Sequence, residues 1–296
     1  MTMTATTNYS LFKKISVFLE MIKFSHTIFA LPFALTGALL AARGLPGGDR
    51  LLWICLAMVG ARTAAMGLNR LIDAGIDARN PRTANRAIPA GQISKGMTLA
   101  FICGSLLLLL IAAAQLNPLC LKLSPLAVFF LVLYSYCKRF TALAHVVLGI
   151  CLAAAPIGAW IAIRGTFDPP ALLLGGIVLF WVAGFDILYA LQDLEFDRSA
   201  GLHSIPVALG VNGSLWTARL FHLAMLALLA ALWMVMQLGT FFAVGIVLVV
   251  IMLAYEHWLL KEGDLTKLDA AFFNMNGYIS VAILIFTALD VLVRWV

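Results

Sequence analysis

Charge is the scarcest thing in this sequence. Of its 296 residues only 11% are Asp, Glu, Lys or Arg, against 63% hydrophobic, and the mean hydropathy is +1.00. Soluble domains carry about 25% charged residues, so a water-soluble globule is excluded. Cysteine is sparse too: Cys55, Cys103, Cys120, Cys137 and Cys151 form no C-x-x-C pair. That spacing gives no zinc site and no disulfide framework, and the five read as reduced thiols in apolar helical text. No hydrophilic domain interrupts the chain, and no nucleic-acid recognition motif is present. The opening "MTMTATTNYSLFKKISVFLE" lacks a short apolar core followed by a small-residue cleavage site. A cleavable signal peptide is therefore not expected, and the first membrane helix drives insertion.

What is present in quantity is long apolar text. Runs fall near 25–43, 51–72, 97–117, 124–138, 143–164, 168–190, 214–235, 239–260 and 274–294. Each approaches the roughly 20 apolar residues needed to span a bilayer. The expected fold is all-α: a polytopic membrane protein of nine transmembrane helices. An odd number puts the termini on opposite sides. Lys13, Lys14, Lys23, Arg70, Arg79, Arg82, Arg86, Lys95, Lys138, Arg139, Arg198, Lys261 and Lys267 fall on one side; Arg43, Arg50, Lys122, Arg164 and Arg294 fall on the other. The richer side is expected to be cytoplasmic. The net charge of +6 thus reflects membrane topology, with the lipid bilayer as the partner and no nucleic acid.

The polar residues concentrate in two places. "NRLIDAGIDARNPRTANRAIP" runs from Asn69 to Pro89. Asn69, Asp73 and Asp77 are spaced i, i+4, i+8, one face of a helix, and Arg62 seven residues earlier shares it. "FDILYALQDLEFD" places Asp193 and Asp197 four apart, with Tyr189 and Asp186 four and seven residues before Asp193. Both clusters read D-x-x-x-D at the same end of an even-numbered helix, 120 residues apart. The repetition predicts two four-helix halves plus one helix. Like charges at i, i+4 repel, and carboxylates at a membrane boundary are costly unless paired or hydrated. Four in matched positions call for a cation. Hard oxygen donors of this kind suit Mg²⁺, which takes one or two carboxylates and completes its shell with phosphate oxygens and water. Two such clusters facing each other would clamp a diphosphate, with arginines and lysines neutralising the rest. The plain structural alternative is a pair of solvated helix ends salt-bridged to loop arginines.

These stretches resemble the UbiA superfamily of intramembrane aromatic prenyltransferases. "NRLIDAGIDARNPRTANRAIPAG" is similar to its N-x-x-x-D-x-x-x-D signature, "YALQDLEFDRSAGLHSIP" to its second D-x-x-x-D, and "YSYCKRFT" to its Y-x-x-x-K-R-x-T stretch. "MIKFSHTIFALPFAL" resembles the start of the 4-hydroxybenzoate polyprenyltransferase-like branch, which includes menaquinone enzymes of the futalosine route. The resemblance implies a single transmembrane domain over 23–296, after an N-terminal cytoplasmic segment 1–22. It also implies helices around a central cavity in the cell (inner) membrane, with the polar cap toward the cytoplasm. The implied activity is Mg²⁺-dependent transfer of a polyprenyl group from polyprenyl diphosphate to an aromatic acid, 4-hydroxybenzoate or a naphthoate-type precursor, in respiratory quinone synthesis. No obligate protein partner is implied. By position, Asn69, Asp73 and Asp77 match the first metal and diphosphate motif, and Asp193 and Asp197 the second. Lys138 and Arg139 match the basic pair, Arg79, Arg82 and Arg86 the basic loop, and Tyr134 the family tyrosine. Two positions depart: Arg70 stands where many members have Asp, and His203 where many have Lys.

In that chemistry, departing diphosphate leaves an allylic cation that a closed apolar interior shields from water and that Tyr134 and Tyr189 could flank. An electron-rich ring carbon attacks it. Asp186 or a motif carboxylate could remove the ring proton. Arg62 is expected either to take the acceptor carboxylate or to pair with Asp186. Lys23 and His26 offer a further substrate contact. Two other classes compete. A secondary transporter also uses intramembrane acids and repeats, and would show uptake without product formation. A CDP-alcohol-type phosphotransferase would need a D-G-x-x-A-R start, which is absent.

Overall fold

The computed structural model describes residues 11–22, 30–260 and 268–295. Every regular element among them is helical. The chain runs through α1 (Leu11–Met21), α2 (Leu31–Ala42), α3 (Gly48–Asp77), α4 (Lys95–Leu116), α5 (Pro118–Cys137), α6 (Ala144–Arg164) and α7 (Pro169–Ala190). A 3-10 turn (Leu191–Asp193) follows, then α8 (Leu194–Ser199), α9 (Ile205–Met236), α10 (Thr240–Leu259) and α11 (Leu268–Trp295). Eight segments are long and apolar enough to cross a membrane, and α2 is a shorter apolar helix. Together they account for the nine apolar runs.

Local chemistry sets the boundaries. Asn117 caps α5, accepting the Cys120 N–H at 2.9 Å, with Pro118 at the first helical position, where its missing N–H costs nothing. The expected start at 124 was therefore late. Ser204 does the same for α9, accepting from Val207 at 3.3 Å with Pro206 behind it. The helix so begun at Ile205 is interrupted at Gly210, whose φ of 67° is outside helical space. The run beginning near 214 is its continuation after that kink.

The first half packs α3 against α4 and α5, and the second packs α7 against α6 and α9. α11, the added helix, lies between α10 and α2. The main core joins Phe33 of α2 to Trp181 and Val182 of α7, Met225 and Leu229 of α9, and Ile283 of α11, each almost fully buried. In lipid the drive for such packing is close van der Waals fit rather than escape from water. Glycine supplies it where backbones nearly touch: a Cβ on Gly149 of α6 would lie 2.5 Å from the Leu179 carbonyl oxygen of α7. The small residues around Gly175 belong to the same kind of contact, with Ile157 filling the space a Cβ would take.

Chain direction places the C-terminal ends of α3, α5 and α7 and the N-terminal ends of α4, α6 and α9 at one end of the bundle. Both acidic motifs lie there. The amphipathic α1 docks at the same end. Its Val17, Phe18 and Met21 are buried with Ala74 of α3 and with Ala87, Ile88 and Ile93 of the α3–α4 loop.

Candidate active site

The first motif lies wholly on α3, as its spacing predicts. Asp73 is 2% exposed and carries the densest set of contacts. Asn69 Nδ2 donates to it at 3.0 Å, Lys138 Nζ lies at 2.6 Å, and Arg139 Nη2 lies at 3.1 Å. Arg139 also donates to the Ser135 and Ile72 carbonyls, at 2.6 and 3.0 Å. It thus ties the end of α5 to α3. One turn on, Asp77 is paired with Arg86 at 2.7 Å, while its Oδ2 is buried with no hydrogen-bond partner.

The second motif is not a continuation of α7. The helix ends at Ala190, Asp193 closes a 3-10 turn, and Asp197 sits on the separate α8. Asp186 and Tyr189 therefore share a face with each other but not, by helical continuity, with Asp193 and Asp197. That is a correction to the single-face reading.

The two motifs are joined through the α3–α4 loop. Arg82 pairs with Asp193 through both Nε, at 2.9 Å, and Nη2, and its Nη1 donates to the Tyr189 hydroxyl at 3.3 Å. Its guanidinium also lies 5.5 Å from the Tyr189 ring centroid, a cation–π contact. Asn80 Nδ2 donates to Asp193 at 2.9 Å, and its carbonyl oxygen accepts the Arg82 N–H at 2.9 Å. Partial burial alone would lower the Arg82 pKa. The Asp193 hydrogen bonds and charge outweigh it and raise that pKa, so the guanidinium stays charged. The Lys138 carbonyl accepts the His203 N–H at 2.7 Å, drawing the α8–α9 loop onto the basic pair. The His203 side chain is exposed.

Of the residues picked out from sequence, Asn69, Asp73, Asp77, Arg86, Lys138, Arg139, Tyr189, Asp193 and Asp197 gather at this end. Arg79 does not join them: it is exposed and has no side-chain partner among the described residues. Asp197 interacts electrostatically with Asp193, Lys138, His145 and Arg82, yet its carboxylate has no hydrogen bond or ion pair among the described residues. Lys23 and His26 lie outside the described residues. Arg62 is not paired with Asp186. Asp186 Oδ2 meets His145 Nδ1 at 2.7 Å, and Arg62 Nε is buried without a hydrogen-bond partner. Arg62 and Tyr134 are electrostatic neighbours, as are Tyr134 and Asp186. Arg70 is buried within electrostatic reach of Asp77, Asp73 and Arg86. Asn80 and His145 were missed from sequence, because each acts through a partner 113 or 41 residues away.

Carboxylates and cations massed at one end of an apolar multi-helix bundle define a class: a multi-pass membrane protein with an intramembrane polar site. A family model described as the UbiA prenyltransferase family matches residues 30–278, and the chain belongs to that family. It is 30% identical over 261 residues to a 4-hydroxybenzoate octaprenyltransferase of Francisella tularensis subsp. tularensis, covering 88% of this chain and 89% of the relative. It is 32% identical over 252 residues to a 4-hydroxybenzoate octaprenyltransferase of Vibrio cholerae serotype O1, covering 83% and 86%. The apo structure of a UbiA homologue from Aeropyrum pernix K1 superposes with a TM-score of 0.83 at 34% identity, over 90% of this chain and 98% of that one. A UbiA homologue from Archaeoglobus fulgidus, solved bound to GPP and Mg²⁺, shares the fold at a TM-score of 0.72 and 20% identity, over 93% and 99%.

Proposed function

We propose that this protein transfers a polyprenyl group from polyprenyl diphosphate to the ring of an aromatic hydroxy acid, in respiratory quinone synthesis. The acceptor is 4-hydroxybenzoate, the substrate in its relatives' names, or a naphthoate-type menaquinone precursor. One observation carries the reading: Arg82 and Asn80 hold Asp193 against the end of the helix that bears Asp73 and Asp77. Two acidic motifs and four basic side chains (Arg82, Arg86, Lys138 and Arg139) thereby lie at one end of the bundle and are tied by one loop, the composition that a metal-bound diphosphate requires.

The residues fit Mg²⁺. Asp77 Oδ2 is buried and unpartnered, and the Asp197 carboxylate is free of hydrogen bonds and ion pairs among the described residues. Two open carboxylates of this kind suit an ion that takes one or two carboxylates and fills its shell with phosphate and water. Asp73, Asp77, Asp193 and Asp197 would hold it, with Asn69 beside them. When bound, Mg²⁺ neutralises charge developing on the leaving diphosphate. Lys138, Arg139, Arg82 and Arg86, each now paired with a carboxylate, would turn to the phosphate oxygens. Arg79 at the rim would steer the anion in, and Lys23 is a further candidate contact. Arg62, half-buried on α3 below Asn69 with its Nε buried and unpaired, would take the acceptor carboxylate. Tyr134 and Tyr189 would flank the allylic cation. The excess of basic residues at the motif end supports a cytoplasmic site in the inner membrane, with 1–22 as a cytoplasmic segment ahead of the domain 23–296.

The test uses membranes containing the protein, a polyprenyl diphosphate and a panel of aromatic acids, with products read by mass spectrometry. A prenylated acid that disappears with chelator, with Asp73→Ala and with Asp193→Ala is expected. No product from any acceptor by folded protein would overturn the reading in favour of transport.

A further inference from the structure

Resting on the transferase reading, we infer that Asp186 is the base that removes the ring proton, and that His145 positions it. The carboxylates at this end divide by their partners. Asp73 is held by Lys138 and Arg139, Asp77 by Arg86, and Asp193 by Arg82. A carboxylate neutralised by a guanidinium or ammonium is a poor proton acceptor. Asp197 has no such pair but belongs to the metal set, and Asp186 differs from all four: it lies off both motifs, and its one side-chain partner among the described residues is His145 Nδ1, at 2.7 Å. Only Oδ2 is engaged, which leaves Oδ1 without a hydrogen-bond partner among the described residues. The pair is also asymmetric, with Asp186 21% exposed and His145 5%. The carboxylate is the open member and the imidazole the buried support.

Depth agrees. Asp186 precedes Asp193 by seven residues, and Arg62 precedes Asn69 by seven. Arg62 lies about 10 Å from Asn69 along α3 at 1.5 Å per residue, and Asp186 lies one helical turn before the end of α7, ahead of the 3-10 turn that carries Asp193. Tyr134 interacts electrostatically with both Arg62 and Asp186, which brings the three together inward of the motifs. An aromatic acid with its carboxylate at Arg62 would present its ring beside Tyr134 and its reacting edge to Asp186. The allylic carbon, carried below the diphosphate, arrives at that edge. The C1–O bond breaks and its electron pair leaves with diphosphate. A ring π pair forms the new carbon–carbon bond. The C–H pair at the attacked carbon then returns to the ring as its proton passes to Asp186 Oδ1. The Nδ1–H of His145 keeps Oδ2 engaged, fixing which oxygen is presented. That tautomer follows from its carboxylate partner. His145 Nε2 is buried with no partner, as expected of an imidazole whose one task is at Nδ1.

The test is kinetic, on purified full-length protein, using acceptor deuterated at the ring carbon that is prenylated. Asp186→Asn is expected to lower kcat by roughly 10²- to 10⁴-fold, the usual worth of general base catalysis. A primary isotope effect should emerge, with KM for polyprenyl diphosphate unchanged. His145→Leu is expected to give a smaller loss with the same isotope signature. His145→Gln, whose amide can donate to the same oxygen, recovers the rate. Thermal unfolding of each variant in detergent confirms that it is folded. Normal kcat in folded Asp186→Asn overturns the assignment. So does a lost rate with no isotope effect and a raised diphosphate KM, which would put Asp186 in the metal–diphosphate site. If the wild type itself makes no product, the transferase reading has failed, and this inference with it.

Discussion

The bridge between Arg82 and Asp193 makes a quantitative prediction. It joins the α3–α4 loop to the turn after α7, across 111 residues of sequence. Arg82 is 33% exposed and Asp193 19%, so the pair is neither a free surface ion pair, worth about 0–1 kcal/mol, nor a fully desolvated one. Hydrogen bonds to charged groups contribute about 1.5–3 kcal/mol when well buried. Two such bonds, discounted for solvent, give an expected coupling of about 1–2 kcal/mol. The perturbations are Arg82→Ala, Asp193→Asn and the double variant. Asn80 remains as a donor to residue 193 in all three and cancels from the cycle. Unfolding in mixed detergent micelles, with SDS as denaturant and no metal or diphosphate present, gives the four free energies. A coupling below about 0.3 kcal/mol, the scatter of independent sites, would refute the claim that this contact joins the motifs.

Asp73→Asn is expected to lower kcat by about 10²- to 10³-fold, the cost of losing one preorganised electrostatic contact. Diphosphate binding measured without metal should not weaken, because Lys138 and Arg139 lose their competitor; isothermal titration separates the two. Arg62→Gln should raise KM for an aromatic acid by about tenfold, one charge-assisted hydrogen bond. The uncharged analogue lacking the carboxylate should be unaffected. Gly149→Ala should destabilise the fold by about 1–3 kcal/mol, the cost of overpacking, since the added methyl meets the Leu179 carbonyl. Thermal unfolding reads that loss, with KM values unchanged.

Sequence alone carried the helices and the first motif a long way, for a physical reason. Apolar runs bounded by charge fix the spans, and i, i+4 spacing on an unbroken helix fixes a face. It failed where the information is tertiary or the local signal is faint. Nothing in "YALQDLEFD" is a helix breaker, so the end of α7 at Ala190 left no Pro or Gly to read. Asn80 lay in plain sight but acquires meaning only once Asp193 is brought to it. His145 reads as an ordinary helix-start residue until Asp186 is placed against it. The early start of α9 was legible, since Ser204 and Pro206 form a standard helix entry. Hydropathy hid it, because the Gly210 kink falls between that entry and the apolar run.

The contrast between an unbroken α3 and an interrupted α7 bears on how each half tolerates changes of length. One residue inserted between Asn69 and Asp77 would turn everything beyond it by about 100° and slide it by 1.5 Å, scattering the acids around the helix. An insertion between Asp193 and Asp197 would do the same on α8, whereas one between Ser199 and Ser204 falls after the motif and disturbs only the bond of the His203 N–H to the Lys138 carbonyl. The halves differ upstream of the motifs: α3 carries Arg62 in phase with its acids, while the 3-10 turn breaks the phase between Asp186 and Asp193. A chimaera should therefore exchange the second motif at that turn, and keep the first with the whole of α3.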